Sequence, residues 1–236
     1  MKAIVTGSAS GIGKHTAMRL IELGYEVYAL DREENAELEN LQCKQRVVDL
    51  MNSISTEAIF NEIGDFDIAV NCAGVSSVRQ RFDQFELDGY MDAFNMNFHP
   101  FFNAIQSELK LCKSAEHKKR KVINIASITG HYGSTNMAAY SAAKAAIINL
   151  TKVIAVEHSA ELIVNSISPA TIDTPMIRRK YQGELPDYSN SYQTGNCGTV
   201  EDVFSVVQML INNNFMTGQD IKLDGGYSSE FSLSLR

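Results

Sequence analysis

The 236-residue chain is long enough to bury the core of one large α/β domain, and its 44% hydrophobic and 21% charged residues are ordinary for a soluble globular enzyme. Its formal net charge of −7 argues against nucleic acid as a partner, because phosphate binding needs a basic surface. Four cysteines without CxxC or metal spacing predict no disulfide, no metal site and a reducing, cytoplasmic location. No apolar run approaches membrane-spanning length and no signal peptide precedes the first Gly-rich turn, so we expect no membrane partner.

Short apolar runs alternate with helix-length segments along the chain. The predicted strands are Lys2–Thr6, Glu26–Leu30, Gln45–Val48, Ile68–Asn71, Lys121–Ala126, Ile163–Ser168 and Asp220–Leu223. The predicted helices are Ile12–Leu23, Ile54–Ile63, Leu87–Leu111, Met137–Ala160 and Val200–Asn212. Strands that are apolar nearly throughout are typical of parallel sheets covered on both faces. We therefore predict one α/β domain over residues 1–236, a Rossmann-type doubly wound parallel sheet of about seven strands with helices on both faces.

Two segments depart from this alternation. The basic run Lys118-Lys119-Arg120-Lys121 precedes the fifth strand, and we interpret it as a solvated loop. Residues Thr171–Thr199 contain two prolines, three glycines and three tyrosines with little periodicity, and such stretches in a compact domain are usually functional or disordered. Because this stretch follows the sixth strand, whose carboxyl end borders the ligand crevice of such a sheet, we expect a lid over the substrate.

The first predicted strand runs into Thr6-Gly7-Ser8-Ala9-Ser10-Gly11-Ile12-Gly13, which opens the first helix. Gly7 permits a tight turn, Gly11 leaves room for a pyrophosphate, and Gly13 lets the helix pack closely on the sheet. The N-terminus of the helix offers free N–H groups to phosphates. A strand before the glycines and a helix after them distinguish this motif from a simple loop. We predict a dinucleotide site that includes Gly7, Ser10, Gly11, Ile12 and Gly13.

Asp31 ends the second strand, at about the 20-residue spacing expected for a carboxylate that binds the ribose hydroxyls. A solvated turn residue is the alternative. A 2′-phosphate beside this carboxylate would cost roughly 1–3 kcal/mol, whereas Arg32 is able to pair with that phosphate. Because Ser10 rather than a basic residue stands in the glycine loop, NAD is the predicted cofactor and NADP the alternative.

Tyr140 and Lys144 are four residues apart on a predicted helix, so the phenol and the ammonium share one face. A tyrosine that serves as a base near neutrality needs its pKa lowered by roughly 3 units, about 4 kcal/mol, and a neighbouring cation is the obvious source. Tyr-x-x-x-Lys alone is common on amphipathic helices. The pair gains significance from Ser127 upstream and from the glycine-rich turn.

Together these motifs resemble the classical short-chain dehydrogenase/reductase family over essentially the whole chain. The matching set is Thr6-Gly7-x-x-x-Gly11-Ile12-Gly13, Asn71-Cys72-Ala73-Gly74, Asn97, Ser127 and Tyr140-x-x-x-Lys144, with 13 residues from Ser127 to Tyr140. The resemblance implies further cofactor contacts at Asp49, Leu50, Asn71, Ala73, Gly74, Tyr140, Lys144, Pro169, Ile172 and Thr174. Ala170 stands where the family usually has glycine, which leaves the turn that carries Ile172 and Thr174 less free to adopt positive φ.

The resemblance also implies a mechanism. Tyr140 would act as general acid in ketone reduction and as general base in alcohol oxidation, while Ser127 would hydrogen-bond the substrate oxygen. Lys144 would lower the pKa of Tyr140 and hold the nicotinamide ribose, and Asn97 would carry a water that links Lys144 to solvent. The bland alternatives are that Ser127 caps a turn and that Asn97 bonds a neighbouring backbone group.

We therefore predict an NAD(H)-dependent oxidoreductase that interconverts a secondary alcohol and its ketone. The alternatives are an NADP(H)-dependent reductase of the 3-oxoacyl type, a non-catalytic NAD-binding sensor or scaffold, and a nucleotide-sugar epimerase or dehydratase. Epimerases usually carry a second domain and a different glycine spacing, and sensors commonly lose the tyrosine or the lysine.

The substrate is a small molecule that the sequence does not name. The cations Arg178-Arg179-Lys180, Arg79 and Arg81 either recognise an anionic substrate or form a solvated face. His131 and Tyr132, just beyond Ser127, either line the pocket or pack against helices. The resemblance also implies a homo-oligomer, a tetramer or dimer formed through the two long helices and the C-terminal region, where Ser228–Arg236 either docks on a neighbouring subunit or hangs free.

Overall fold

The computed structural model describes residues 1–76, 79–112 and 119–229. Its parallel seven-stranded sheet has the order β3-β2-β1-β4-β5-β6-β7. The strands are β1 Lys2–Thr6, β2 Glu26–Asp31, β3 Lys44–Val47, β4 Ile68–Asn71, β5 Arg120–Ile125, β6 Leu162–Pro169 and β7 Asp220–Leu223. The helices are α1 Gly11–Glu22, α2 Ala36–Asn40, α3 Ser53–Ile63, α4 Leu87–Cys112, α5 Ala138–Glu157, α6 Pro175–Lys180 and α7 Val200–Asn212, with short 3-10 turns at Phe82–Gln84 and Ile128–Gly130. The predicted fold class is confirmed.

Two buried apolar clusters cover the two faces of the sheet. Because side chains alternate along a strand, β1 contributes Ala3 and Val5 to one cluster and Ile4 to the other. Helices α1 and α7 complete the first cluster, and α3, α4 and α5 complete the second. The strand order reverses between β1 and β4, which opens a crevice beyond the carboxyl ends of these strands.

Two short helices were not predicted from the sequence, because each is too short to show a helical apolar pattern. Helix α2 begins after Asn35, whose side chain accepts hydrogen bonds from the Glu37 and Leu38 backbone. Helix α6 begins after Thr174, which caps it, and has Pro175 in its first turn. The second of these helices lies inside the stretch predicted to be an irregular lid.

The prediction of a solvated loop at Lys118-Lys119-Arg120-Lys121 is wrong for Arg120 and Lys121, which lie in β5. Arg120 opens β5 and is only 1% exposed, because its guanidinium donates to Asp65 Oδ1 at 2.6 and 3.1 Å. Lys121 also belongs to β5, and its ammonium donates to the Asn213 carbonyl at 3.1 Å. Lys118 lies outside the described residues.

The expectation of no membrane-length apolar run also needs correction. By length and hydropathy alone, α5 is long and apolar enough to cross a bilayer. However, Ile147, Ile148 and Ile154 of this helix belong to the buried core, and the helix packs against α4 and β6. A core helix of this kind accounts for the apolar pattern.

Candidate active site

The glycine turn after β1 has the geometry of a phosphate-binding loop. Gly7 and Gly11 adopt φ of 68° and 56°, a region that side chains with a Cβ rarely enter. A Cβ on Gly7 would lie 2.7 Å from the Ala73 nitrogen, and one on Gly13 would lie 2.1 Å from the Gly7 carbonyl oxygen. The glycines therefore allow α1 to begin against the end of β4, with its free N–H groups facing the crevice.

Asp31 lies where β2 ends, at the rim of the same crevice. Its carboxylate accepts hydrogen bonds from the backbone nitrogens of Ala9, at 2.9 Å, and Arg32, at 2.6 Å. The first bond ties the carboxylate to the glycine loop. The side chain of Arg32 is exposed, and both residues line a cleft of about 780 Å³.

A smaller cavity of about 100 Å³ adjoins this cleft on the β3 side. It is lined by Asp49 and buried Leu50, as the resemblance implies for an adenine contact, and also by Ala73. Met96 and Pro100 of α4 complete the cavity. They were not anticipated from the sequence, because a helix that begins 40 residues after the end of β3 gave no sign of reaching this point.

Asn71 is the one predicted cofactor residue among the described ones that turns away from the crevice. Its amide nitrogen donates to Asn124 Oδ1 at 3.0 Å and to Glu108 Oε2 at 3.4 Å. All three side chains are buried beneath the end of β4. Burial raises the pKa of Glu108 to about 8, since the hydrogen bond from Asn71 only partly offsets the loss of solvent.

Ser127, Tyr140 and Lys144 meet on one wall of the large cleft. Ser127 follows β5 and caps the short turn Ile128–Gly130, and its hydroxyl is near enough to the Tyr140 phenol to influence the pKa of Tyr140. Tyr140 and Lys144 lie on successive turns of α5, with the ammonium 5.6 Å from the tyrosine ring centroid. Lys144 is buried and donates to the Ile125 carbonyl at 2.9 Å.

The electrostatics of this wall differ from the expected ones. Burial raises the pKa of Tyr140 above its usual value, and the Ser127 hydroxyl offsets only part of this effect. Burial also lowers the pKa of Lys144 to about 8. The expected lowering of the Tyr140 pKa by Lys144 is therefore not present in this geometry, in which the ammonium is turned to the Ile125 carbonyl.

Asn97 ties α4 to the loop after β4. Its Oδ1 accepts from the Val75 nitrogen at 3.0 Å, and its amide donates to the Ala93 carbonyl at 3.2 Å. A Cβ on Gly74 would lie 3.3 Å from Asn97 Oδ1 and 3.8 Å from Lys144 Nζ, so these polar atoms share one corner of the cleft. Asn97 therefore bonds neighbouring backbone groups, as the alternative interpretation of this residue predicted, and it also lies close to Lys144.

The opposite wall of the cleft comes from the segment after β6. Pro169, buried Ile172 and Thr174 all line the cleft, and Thr174 approaches the glycine loop because a Cβ on Gly11 would lie 3.4 Å from its methyl group. Ala170 does not have positive φ. The doubt raised by an alanine at this position is therefore removed, since the turn does not need the conformation that favours glycine.

A second cavity of about 310 Å³ opens beyond Ser127 and Tyr140. Tyrosines form much of its wall, and they come from three separate stretches of the chain: Tyr132, Tyr181, Tyr188, Tyr192 and Tyr227. The predicted lid residues Thr171, Met176 and Ile177 also line it. The sequence singled out Tyr132 and placed Tyr181, Tyr188 and Tyr192 only within the predicted lid, whereas Tyr227 was not anticipated, because these four have no motif and meet through tertiary packing alone.

His131 faces away from this cavity. Its ring nitrogen lies 2.7 Å from Asp220 Oδ2, and the other oxygen of this carboxylate accepts from the hydroxyls of Ser166 and Ser168 at 2.5 and 2.9 Å. The contact fastens the turn after Ser127 to β6 and β7. Of the two candidates beyond Ser127, only Tyr132 lines the cavity.

The predicted cations divide into two groups. Arg178 forms a two-pronged pair with Asp173 at 2.7 and 2.6 Å, and Arg81 pairs with Asp83 at 3.0 Å. Arg179 lines the large cleft, Arg79 lines the tyrosine-rich cavity, and Lys180 lines both. The structure therefore brings only part of the predicted basic cluster to the site.

A nicotinamide dinucleotide fits these residues. Gly7, Gly11 and Gly13 leave space that any Cβ would occupy, next to the N-terminus of α1. The large cleft runs from Asp31 at one end to Ser127, Tyr140 and Lys144 at the other. Phosphates at the glycine loop would therefore leave the nicotinamide end beside the serine and tyrosine hydroxyls.

Comparison with known proteins agrees with this geometry. Residues 1–185 match the family model described as short chain dehydrogenase. The chain is 28% identical to cyclohexanol dehydrogenase from Acinetobacter sp. (strain SE19), over 97% of this chain and 95% of the relative. It is 26% identical to 2-dehydro-3-deoxy-L-rhamnonate dehydrogenase (NAD(+)) from Sphingomonas sp. (strain SKA58), over 95% and 94%. The solved structure of ElxO with NADP bound matches with a TM-score of 0.87 and 27% identity, over 97% and 99%.

These matches define an oxidoreductase that binds a nicotinamide cofactor and acts on the CH–OH group of a small molecule. The family model covers well over half of the 236 residues and includes the glycine loop and the Ser127, Tyr140 and Lys144 wall. The chain belongs to the short-chain dehydrogenase/reductase family.

Proposed function

We propose that this protein is an NAD(H)-dependent dehydrogenase that interconverts a secondary alcohol and its ketone. The observation that carries the proposal is the convergence of Ser127, Tyr140 and Lys144 on one wall of the cleft that begins at the glycine loop. A sensor or scaffold would not need a hydroxyl pair and a buried ammonium at this point.

The preference for NAD rests on Asp31. Its carboxylate is held at the cleft by the Ala9 and Arg32 backbone nitrogens, and Glu33 adds a second carboxylate to the same rim. A 2′-phosphate there would meet like charge at a cost of roughly 1–3 kcal/mol. Arg32 and the NADP found in ElxO support the alternative of an NADP-dependent reductase.

The bound cofactor supplies or accepts the hydride, and the residues of this chain supply placement and the proton. The Ser127 hydroxyl binds the substrate oxygen and stabilises the charge that develops on it. Because burial raises the pKa of Tyr140, its phenol is protonated at neutral pH and serves as the general acid for reduction. Oxidation needs the phenolate, which an ammonium at Lys144 stabilises when it faces the phenol.

In this proposal Lys144 binds the cofactor, and Lys144 and Asn97 together connect the catalytic site with solvent for proton exchange. With its pKa at about 8, Lys144 is mainly protonated at neutral pH, so it is able to hold the ribose hydroxyls of the cofactor as a donor. Asn97 shares a corner of the cleft with the Lys144 ammonium. We assign it the water that connects this ammonium with solvent.

The other site residues complete the assignment. Gly7, Ser10, Gly11, Ile12 and Gly13 hold the phosphates, and the cavity that contains Asp49, Leu50, Ala73 and Gly74 receives the adenine. Pro169, Ile172 and Thr174 hold the carboxamide. Residues 171–199 cover the substrate as part of the one domain, because several of them line the tyrosine-rich cavity.

The test is a pair of titrations with NADH and NADPH, followed by the fluorescence of the reduced nicotinamide, and then a screen of secondary alcohols and ketones. We expect tight binding of NADH, weak binding of NADPH and a turnover that falls by about 10²–10⁴ in Tyr140→Phe. Binding of neither cofactor would disprove the proposed function. Preference for NADPH would move the assignment to the biosynthetic reductase.

We also propose that the protein works in the cytoplasm as a homo-oligomer. The long helices α4 and α5 leave Phe102, Val153 and Val156 at least 37% exposed, and such apolar side chains on neighbouring helices favour burial against another subunit. Light scattering on the purified protein distinguishes a dimer or tetramer from a monomer.

A further inference from the structure

The tyrosine-rich cavity beside Ser127 and Tyr140 has an unbalanced charge. Two basic side chains, Arg79 and Lys180, line it, whereas none of its lining residues in the described part of the chain is acidic. The protein as a whole carries a net charge of −7, so this positive character is local. A neutral alcohol would not need it.

The position of Arg79 is fixed relative to Tyr140. The next residue, Gln80, donates its backbone N–H to the Asn136 carbonyl at 3.1 Å and forms a parallel bridge with Met137. The Arg79 guanidinium lies 3.8 Å from the sulfur of Met137, which directly precedes α5. The cation is thereby tied to the start of the helix that carries Tyr140.

Lys180 reaches the same region from the end of α6. Its ammonium donates to the Tyr181 hydroxyl at 2.8 Å and lies 4.5 Å from the centroid of that ring. Lys180 lowers the pKa of Tyr181 through this hydrogen bond, and the charge of Arg79, which lines the same cavity, lowers it further. A hydroxyl beside one cation, in a cavity that a second cation also lines, is a favourable arrangement for an anionic oxygen.

Two arginines close to these cations in the sequence have acidic partners, unlike the cations of the cavity. Arg81, two residues after Arg79, pairs with Asp83, and Arg178, two residues before Lys180, pairs with Asp173. In the described part of the chain neither Arg79 nor Lys180 pairs with a carboxylate. Both cations that face the cavity therefore lack an acidic partner among the described residues, as does Arg179, which lines the cofactor cleft instead.

We propose that the substrate carries an anionic group, a carboxylate or a phosphate, which Arg79 and Lys180 bind beside the Tyr181 hydroxyl. Its carbinol or carbonyl carbon then lies at Ser127 and Tyr140. The cavity of about 310 Å³ is at the small end of ligand sites, so the substrate is a small hydroxy compound and its oxo counterpart rather than a large conjugate. This inference rests on the proposed function.

The test measures binding through nicotinamide fluorescence to the NADH complex of Tyr140→Phe, which reduces ketones too slowly to consume them, and the further variants are made in the same background. Small oxo acids, pyruvate to oxohexanoates, are compared with their methyl esters, and dihydroxyacetone phosphate is compared with dihydroxyacetone. We expect the best anion to bind about tenfold or more tightly than its neutral partner, because a charged hydrogen-bonded pair replaces a neutral contact. The carboxylate and phosphate arms decide which anionic group the site takes.

The matched variants are Arg79→Ala and Arg81→Ala, which remove the same side chain from the same segment. Arg79→Ala should abolish most of the anion preference, Arg79→Lys should restore part of it, and Arg81→Ala should leave it unchanged. Lys180→Ala should also reduce the preference, with its NADH affinity measured separately because Lys180 lines the cofactor cleft too. Thermal unfolding verifies that each variant is folded.

The outcomes separate the two levels of the proposal. A wild-type protein that binds neither NADH nor NADPH overturns the proposed function and this inference with it. A protein that binds NADH but binds neutral partners as tightly as anions overturns this inference alone. An anion preference that survives in Arg79→Ala and in Lys180→Ala overturns it as well.

Discussion

The two halves of the cleft are built in different ways. The cofactor half is made from the ends of strands and the start of a helix: Gly7 and Gly13 after β1, Asp31 at the end of β2, and the loop after β4. The substrate half is made mainly from side chains of irregular segments, among them Tyr188, Tyr192 and Tyr227. The first half therefore recognises through backbone geometry, whereas the second recognises through side-chain chemistry that varies freely.

The largest expected effect on cofactor binding comes from a change at Gly13 in the cofactor half. In Gly13→Ala the new Cβ would lie 2.1 Å from the Gly7 carbonyl oxygen, which is backbone and has no flexible end to move. We expect a loss of stability of about 1–3 kcal/mol or more, together with loss of NADH binding. Thermal unfolding and NADH titration measure the two effects.

Gly89→Ala is the matched control for this change. Gly89 lies in the first turn of α4 with no atom within 4 Å of an added Cβ, so the substitution should stabilise the helix by about 0.5–1 kcal/mol. If Gly13→Ala binds NADH as tightly as the wild type does, the glycine turn is not the phosphate site and the contrast between the two halves is lost.

The same contrast explains what could be read from the sequence. The parallel sheet, the strand ends and the positions of Asp31, Ser127, Tyr140 and Lys144 followed from apolar runs and motif spacing, because parallel strands direct their carboxyl ends to one edge. Arg120 was misread as solvated, since the charge of a residue does not reveal a partner such as Asp65 far along the chain.

On the substrate side, the sequence identified the segment but not its interior. Residues 171–199 were expected to cover the substrate, and several of them line the tyrosine-rich cavity, yet the short helix α6 and the separation of Arg178 from Lys180 were not foreseen. A bidentate pair between Arg178 and Asp173 depends on the turn of that helix. Such facts depend on tertiary packing and cannot be derived from spacing alone.

A second prediction concerns the buried support beneath the cofactor half. Glu108 is fully buried, and its pKa is raised from 4.5 to about 8 by burial. Between these two pKa values the unfolded chain has lost a proton that the folded chain keeps, so rising pH lowers the stability. Glu108→Gln removes this dependence, and we expect it to be more stable than the wild type by an amount that grows with pH, on the order of 4 kcal/mol at pH 8.

Chemical unfolding of both proteins at several pH values measures this difference. Glu86→Gln, at an exposed position directly before α4, is the control and should follow the wild-type curve. Parallel curves for Glu108→Gln and the wild type would contradict a neutral, buried Glu108. The NADH affinity at neutral pH should be nearly unchanged, because Glu108 lies below the cleft rather than in its lining.

The smallest expected effect sharpens the comparison at Asp31, where the rim of the cofactor half recognises through a charged side chain. Asp31→Asn keeps an oxygen that accepts from the Ala9 nitrogen but removes the negative charge. The NADPH-to-NADH affinity ratio should therefore rise by roughly 5- to 150-fold, corresponding to about 1–3 kcal/mol of relieved repulsion. Glu33→Gln, which removes a more exposed carboxylate from the same rim, should change the ratio less, and Arg32→Ala should lower NADPH affinity in the Asp31→Asn background. If the ratio is the same in Asp31→Asn and in the wild type, cofactor choice does not depend on this carboxylate, and the shape of the loop that follows β2 becomes the determinant.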